Sequence, residues 1–225
     1  NPHFPWVGSE RFWESHIDVP GQYHVIGASL WGAPAIIHIG HNQHVGWTHT
    51  VSTNATTTSW RLQLDPADPT RYMVDGQSVP MSTTDVTVKS LEGGVLVDRT
   101  RRLYSSQYGP ILSSPAWTTS TATAFLDANA SNVRMVDQWL EMGQADNAHE
   151  LIDSERRIQG VPWVNTIGAD DRGTAFYIEY AVTPDLPNSY LDGSCNLSPT
   201  KAVSGPFDGS VGACKLGQSP GAVVP

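Results

Sequence analysis

The chain has 225 residues, of which 16% are charged, and its formal net charge is −9. The acidic balance argues against a nucleic acid or an anionic membrane surface as the partner. No apolar run is as long as a transmembrane helix, so we expect no membrane association. The length suits one domain, or a large part of one, with a substantial core.

The amino-terminal segment is unusual. The sequence begins Asn1-Pro2-His3 and has no Met before Met73, and its start lacks the pattern of a signal peptide. We therefore expect a processed product, a truncated form or a partial sequence. Pro2 and Pro5 favour an extended backbone before each of them, so His3 lies in a stiff frame beside aromatic residues. This makes His3 a candidate functional residue.

The first half of the chain predicts β-strands separated by turns. Residues 12–19 and 23–30 form the first two, and Gly27 inside the second predicts a bulge, or a close approach by other backbone or by a ligand. The segment 36–54 predicts a hairpin around which the chain is organised, with its turn at Gly40, His41 and Asn42. Its second strand alternates, which places four residues on one face: Val45, Trp47, His49 and Val51.

The second half mixes helices and strands. After short strands that reach residue 127, Ser131 or Asn132 predicts the cap of a helix to about residue 142. The apolar face of this helix is Val133, Val136, Trp139 and Leu140. Asp146 or Asn147 predicts the cap of a second helix to about residue 157. Two further strands, 163–169 and 174–182, complete an α+β fold.

Two cysteines, Cys195 and Cys214, lie in the irregular tail. They are either free thiols or a disulfide, and we expect the disulfide because little else orders this loop-rich stretch. It would close a short loop, contribute about 3 kcal/mol and indicate an oxidising compartment. We therefore expect a secreted or periplasmic protein.

Four of the eight histidines lie between His38 and His49. His38, His41, His44 and His49 raise the possibility of a metal site. His38 and His49 fall on different predicted strands, however, and no carboxylate lies among the four. We therefore interpret them as hydrogen-bonded strand and turn residues, and we expect no metal.

Five segments, in order, resemble the β-chain of the penicillin acylase family. They are NPHFPW (1–6), PGQYHVIGASLWGAPAIIHIGHNQHVGWTHTVSTN (20–54), DPADPTRYMVDGQ (65–77), YGPIL (108–112) and GVPWVNTIGADDRGTAFY (160–177). They are most similar to the branch of acyl-homoserine-lactone acylases and aculeacin-type lipopeptide acylases. The resemblance covers residues 1–182, and the cysteine pair is similar to one found in that branch.

The resemblance implies an N-terminal-nucleophile hydrolase with an αββα sandwich, partial in this chain and with a β-rich insertion. Such enzymes cut their own precursor, and the new N-terminal Ser of the β-chain attacks an amide with its own amine as the base. This chain lacks that Ser, so we expect it to be inactive alone and to need the α-chain of the same precursor. The domains implied are an acylase core at 1–182 and an irregular, disulfide-containing segment at 183–225.

The resemblance also implies roles for individual residues. His3 matches the histidine that tunes the nucleophilic amine, and Val51 matches the residue whose backbone N–H forms half of the oxyanion hole. The positions that line the acyl pocket match Phe4, Leu30, Trp139, Trp163 and Val164, and His38 lies near a pocket position that is usually less bulky. The implied substrate is a small N-acyl amide, such as an acyl-homoserine lactone, a lipopeptide or a penicillin.

We expect no cofactor. Some members of the family bind calcium through aspartates just after the Val51 position, where this chain has Ser52, Thr53 and Asn54. The alternative function is a non-catalytic extracellular β-rich binding module. In that module Trp6, Trp13, Trp31 and Trp60 would stack on sugars or peptides.

Overall fold

The computed structural model describes residues 4–33, 36–113, 117–186 and 188–215. The chain divides into two compact units. Unit 1 holds the described residues up to Thr56 and those from Ser131 to Thr183; unit 2 holds those from Thr57 to Ala130 and those from Pro184 onward. The units therefore interleave along the chain, whereas the expected division has a single boundary, between residues 182 and 183.

Strands make up most of the regular structure in the described residues. In chain order they are β1 (Phe12–Val19), β2 (Tyr23–Leu30), β3 (Ile39–His41), β4 (Val45–Val51), β5 (Thr57–Asp65), β6 (Asp68–Val74), β7 (Gln77–Pro80), β8 (Ser82–Glu92), β9 (Val95–Ser106), β10 (Gly109–Pro110), β11 (Thr121–Asp127), β12 (Val164–Asp170), β13 (Ala175–Ile178) and β14 (Phe207–Asp208). The helices are α1 (Met135–Gln144), α2 (Ala148–Ile158) and α3 (Asn188–Asp192), and a 3-10 turn spans Gly212–Cys214. The fold is α+β, as predicted, and none of the described helices could cross a membrane.

Unit 1 is built on a sheet with the strand order β1-β2-β3-β4-β12-β13. The predicted strands 12–19 and 23–30 are confirmed by β1 and β2. The predicted turn at Gly40, His41 and Asn42 was wrong, because Gly40 and His41 belong to β3 and the turn begins at Asn42. The Asn42 Oδ1 accepts hydrogen bonds from the backbone N–H groups of His44 and Val45, each at 2.8 Å.

Gly40 permits the close packing of two strands and does not form the predicted turn. It lies opposite Gly27 in the β2–β3 register. A Cβ on Gly40 would come within 2.3 Å of the Ile26 carbonyl oxygen, and a Cβ on Gly27 within 2.2 Å of the Ile39 carbonyl oxygen. The pair of glycines lets the two strands approach, so of the alternatives predicted for Gly27 the close approach by other backbone is the one observed.

The two predicted helices are present in unit 1. Helix α1 begins later than predicted, at Met135, and Val133 is 87% exposed because it precedes the helix. Helix α2 begins as predicted after Asn147, whose side-chain oxygen accepts from the Glu150 N–H at 3.1 Å. The Glu150 carboxylate in turn accepts from the Asp146 N–H at 2.9 Å, which completes a capping arrangement.

The core of unit 1 lies between the sheet and these helices. Its buried side chains come from β2, β4, both helices, the connection between the helices and the segments that precede β3 and β12. They are Tyr23, Val25, Ile36, Ile37, Val45, Trp47, Trp139, Met142, Ala145, Leu151 and Val161. Of the four residues predicted to share one face of the second hairpin strand, Val45 and Trp47 lie in this core.

Unit 2 is mostly β. One sheet has the order β11-β5-β6-β7, with β14 parallel to β5, and another has the order β10-β9-β8. Trp60 lies at the centre of its core, 1% exposed, stacked on Tyr108 at 5.6 Å between ring centroids. The expected disulfide joins Cys195 and Cys214. The Trp60 indole N–H donates to the Cys214 carbonyl at 3.0 Å, so the cross-link is tied to this core.

Candidate functional site

Unit 1 contains a cavity of about 280 Å³. It lies among the ends of β1, β2 and β4, the start of α1 and the segment that leads into β12. Its lining is mostly apolar and aromatic: Phe4, Phe12, Leu30, His38, Ile39, His49, Thr50, Val51, Met135, Trp139, Pro162, Trp163 and Val164. A concave site with this lining and few polar groups is typical of a pocket for an apolar ligand.

The structure brings most of the predicted site residues together. Val51 and the six predicted substrate-binding residues all line this one cavity, although as many as 160 positions separate Phe4 from Val164. Their roles stay predictions. His3 lies outside the described residues.

Sequence analysis missed six lining residues: Phe12, Ile39, His49, Thr50, Met135 and Pro162. The sequence points to His49, and the structure explains Phe12. His49 precedes Val51 by two residues on β4 and therefore shares its face. Phe12 faces Leu30 in the β1–β2 register, and its ring contacts Phe4 at 5.3 Å between centroids.

The cavity has a buried end and an exposed end. Trp139 is 2% exposed and His38 is 9% exposed, whereas Trp163 and Val51 are 42% and 66% exposed. The Trp139 indole N–H donates to the His38 carbonyl at 3.2 Å, which links α1 to the segment before β3. An elongated ligand can therefore enter past Trp163 and Val51 and extend toward Trp139.

Two imidazole rings contact Trp139 edge-on. The centroid of the Trp139 ring lies 5.0 Å from that of His38 and 5.4 Å from that of His49. Burial lowers the pKa of His38, and it lowers the pKa of His49 to about 4, although a hydrogen bond to the Asn165 carbonyl opposes that fall. Both rings are thus neutral at pH 7, and the buried end of the cavity carries no charge from them.

The backbone at Val51 leaves an N–H group free of the sheet. The Ser52 N–H donates to the Trp163 carbonyl at 3.0 Å, and the next opposed pair is Val51 with Val164. Because hydrogen-bonded and non-hydrogen-bonded pairs alternate in an antiparallel ladder, the Val51 N–H points away from β12. On that side β3 pairs with β4 only at Gly46 and Trp47. No strand among the described residues therefore takes up this donor.

Side chains hold this end of β4 in place. The Asn165 side-chain NH₂ donates to the Thr50 hydroxyl at 3.1 Å and to the Val51 carbonyl at 3.3 Å. The Ser52 hydroxyl donates to the Glu179 carboxylate. The backbone around the Val51 N–H is therefore fixed from β12 and from the chain after β13.

The four histidines do not share a metal site. His41 contacts the Asn42 carbonyl at 2.8 Å, and His44 contacts the Asp171 carboxylate at 3.0 Å, whereas His38 and His49 line the cavity. Over the described ranges no three metal-ligating side chains cluster. The interpretation of these histidines as hydrogen-bonded strand and turn residues fits their contacts.

The tryptophans proposed for a binding module differ in exposure. Trp6, Trp13 and Trp31 are exposed, but Trp60 is buried in the core of unit 2. The suggestion that Trp60 stacks on a ligand was therefore wrong, since its ring already contacts Tyr108 and Phe207.

Comparison with known proteins places the chain in a family. The family model described as penicillin amidase matches residues 1–225. The chain is 45% identical over 231 residues to the acyl-homoserine lactone acylase PvdQ of Pseudomonas fluorescens, with 100% of this chain and 29% of the relative covered. It is 45% identical over 233 residues to the aculeacin-A acylase of Actinoplanes utahensis, with the same coverage of 100% and 29%.

A solved structure agrees with the fold. The thermostable penicillin G acylase from Alcaligenes faecalis matches with a TM-score of 0.71 over 92% of this chain and 34% of that chain, at 18% sequence identity. The chain spans about 29% of the length of the curated relatives named above. The resemblance inferred from the five sequence segments is confirmed, and the chain belongs to the penicillin amidase family.

Proposed function

We propose that this chain is part of a self-processing amidohydrolase that cleaves the amide bond of N-acyl substrates. The nucleophile is an N-terminal Ser outside these 225 residues, and its own amine is the base. The acyl group occupies the cavity of unit 1, and the leaving amine lies outside it. The candidate substrates are acyl-homoserine lactones, lipopeptides and penicillins.

One observation carries the proposal: a mostly apolar cavity ends at a backbone N–H that the sheet leaves free. An amide carbonyl at the exposed end of the cavity would place its oxygen beside the Val51 N–H. A fixed donor at that point stabilises the negative charge that develops on the oxygen during attack. The acyl chain would meanwhile extend past Leu30 toward Trp139, where each buried CH₂ contributes about 0.8 kcal/mol.

The other residues have supporting roles in this proposal. His3 has the role that the family resemblance assigns to it, which is to tune the basicity of the nucleophile's amine. Phe4, His38, Trp163 and Val164 shape the acyl site. Asn165 positions the strand end that bears the Val51 N–H.

The complete enzyme contains more than this chain. The relatives are more than three times as long as the part that this chain matches. We infer that the α-chain of the same precursor is the partner and that this chain alone is inactive. The disulfide supports a secreted or periplasmic location.

The test uses the complete natural protein. Its intact mass and N-terminal sequences are measured, and the same sample is assayed with a series of fluorogenic acyl amides of increasing chain length. We expect two chains, one of which begins with Ser, and cleavage whose kcat/KM rises by about fourfold per CH₂ until the cavity is full.

Two results would overturn the proposal. One is a single uncut chain that cleaves no acyl amide, which would leave the binding module as the function. The other is cleavage that does not depend on acyl length, which would remove the cavity from the acyl-binding role.

A further inference from the structure

We propose that His38 donates a hydrogen bond to an oxygen atom on the acyl chain, so that the site selects hydroxy- or oxo-substituted acyl groups over plain alkyl ones. This inference rests on the proposed function, because it assigns the acyl chain to the cavity of unit 1. The inference narrows the substrate class from any apolar acyl group to acyl groups that carry an oxygen. His38 becomes a specificity-determining residue.

The hydrogen bonds of His38 determine which ring nitrogen carries the proton. The Leu30 backbone N–H donates to the His38 Nδ1 at 3.2 Å. A backbone N–H can only donate, so Nδ1 presents its lone pair. In a neutral imidazole the proton then lies on Nε2, which makes Nε2–H a donor.

That donor has no protein partner. Among the described residues, the hydrogen bonds of His38 involve only its Nδ1 and its backbone carbonyl. The ring lines the cavity and is enclosed by apolar neighbours such as Leu30, Ile39 and Trp139. An alkyl chain that fills this end displaces water from the Nε2–H and leaves a buried donor unpaired, which is unfavourable.

His49 does not offer the same contact. Its Nδ1 lies 3.2 Å from the Asn165 carbonyl, and its Nε2 is fully buried. A ligand in the cavity therefore meets one accessible imidazole donor, that of His38. An oxygen with a free lone pair satisfies it, whether a hydroxyl or a ketone, whereas a methylene or an ammonium group does not.

The position of His38 also restricts where the oxygen lies on the chain. His38 belongs to the buried end of the cavity with Trp139, and Val51 belongs to the exposed end. Since the scissile carbonyl is assigned to Val51, the oxygen that meets His38 is carried farther along the acyl chain. Burial lowers the pKa of His38, so the ring remains a neutral donor across the neutral range.

The experiment compares acyl amides of equal length with the complete natural protein. The chains are unsubstituted, or carry a hydroxyl, an oxo or a methyl group at successive positions. We expect kcat/KM to be about 10- to 100-fold higher for the oxygenated chain whose oxygen reaches His38 than for the plain chain. The methyl series separates a polar preference from a steric one.

Three variants refine the test. His38→Phe should abolish the preference for oxygen and improve the plain chain. His38→Gln should retain the preference, because a Gln amide can accept from the Leu30 N–H and still donate into the cavity. His41→Phe makes the same change at an exposed histidine outside the cavity and should leave the preference intact.

The outcomes separate this inference from the proposed function. If the wild-type protein cleaves plain and oxygenated chains equally at every position, the role of His38 is overturned and the acylase stands. A preference that survives in His38→Phe also overturns it. If no acyl amide is cleaved at all, the proposed function itself has failed.

Discussion

The two units differ in how many of their buried polar side-chain atoms lack a hydrogen-bond partner. Among the described residues, most of the buried side-chain oxygen and nitrogen atoms without a hydrogen-bond partner lie in unit 1, on Tyr23, His49, Glu155, Gln159 and Asn165; unit 2 has only the Thr58 hydroxyl. In unit 2 the buried Trp60 N–H is paired, and a disulfide closes the tail. Each unpaired group costs about 1–3 kcal/mol. Unit 1, which contains the cavity, thus gives up more stability to unpaired polar groups than unit 2, which is cross-linked and leaves only the Thr58 hydroxyl unpaired among the described residues.

The largest effect should come from removing the free donor of unit 1. We expect Val51→Pro to lower kcat toward acyl amides by about 100- to 1000-fold, because proline has no N–H for the developing oxyanion. Val51→Ala keeps the N–H and is the matched control. Steady-state kinetics of both variants in the complete protein measure the effect, and equal activity in the two would remove Val51 from the mechanism.

Removing the disulfide should affect only the stability of unit 2. The double variant Cys195→Ser with Cys214→Ser should lose about 3 kcal/mol, because the unfolded chain is no longer restrained. Hydrogen exchange measured by mass spectrometry should show faster exchange in peptides of β5 and β14, with unit 1 unchanged. Equal loss of protection in both units would show that they do not open independently.

Glu155 offers a pH-dependent test of unit 1. Its side chain is 1% exposed, and neither carboxyl oxygen makes a well-formed hydrogen bond among the described residues. Burial raises its pKa to about 7 from an ordinary 4.5, and the nearby Thr166 hydroxyl opposes the rise only in part. The folded state therefore holds this proton more tightly than the unfolded state, and wild-type stability falls as pH rises from about 4.5 to 7.

The isosteric variant Glu155→Gln removes that dependence. We expect little difference from wild type below pH 4.5 and a gain that grows to about 3 kcal/mol above pH 7. His49, whose pKa is lowered to about 4, contributes the opposite slope between pH 4 and 6.5, since its stabilising neutral form is lost as pH falls. His49 is present in both proteins, so the difference in unfolding midpoints isolates Glu155. A difference that does not change with pH would contradict the raised pKa.

Local patterns predicted much of unit 1, but not its buried carboxyl group. Strand-like runs and turn residues were enough for β1 and β2, and a cap residue at Asp146 or Asn147 was enough for the start of α2. The burial of Glu155 could not be predicted, because carboxylates on a helix are almost always exposed and Leu151, one turn earlier, already provides a buried apolar side chain. Only the packing of α2 on the sheet puts this carboxyl inside.

Other features depend on contacts between distant parts of the chain. The predicted turn was misplaced because Gly40 is needed for the close approach to Gly27 on the paired strand. The residues next to Gly40 in the sequence do not reveal that pairing. The interleaved units arise because β14 returns to pair with β5 from about 150 residues away. The pocket residues came from the family resemblance; spacing alone does not bring Leu30, Trp139 and Trp163 together.

The smallest effect should come from the cap of α2. Asn147→Ala removes the side-chain oxygen that accepts from the Glu150 N–H, and we expect a loss of about 1 kcal/mol. Asn147→Asp keeps an acceptor and should stay within a few tenths of a kcal/mol of wild type. Because α2 carries Leu151 into the core of unit 1, faster hydrogen exchange should appear in α2 and β12 and not in unit 2. If both substitutions are neutral, the packing of Leu151 holds the helix without its cap, and unit 1 is more stable than its unpaired polar groups imply.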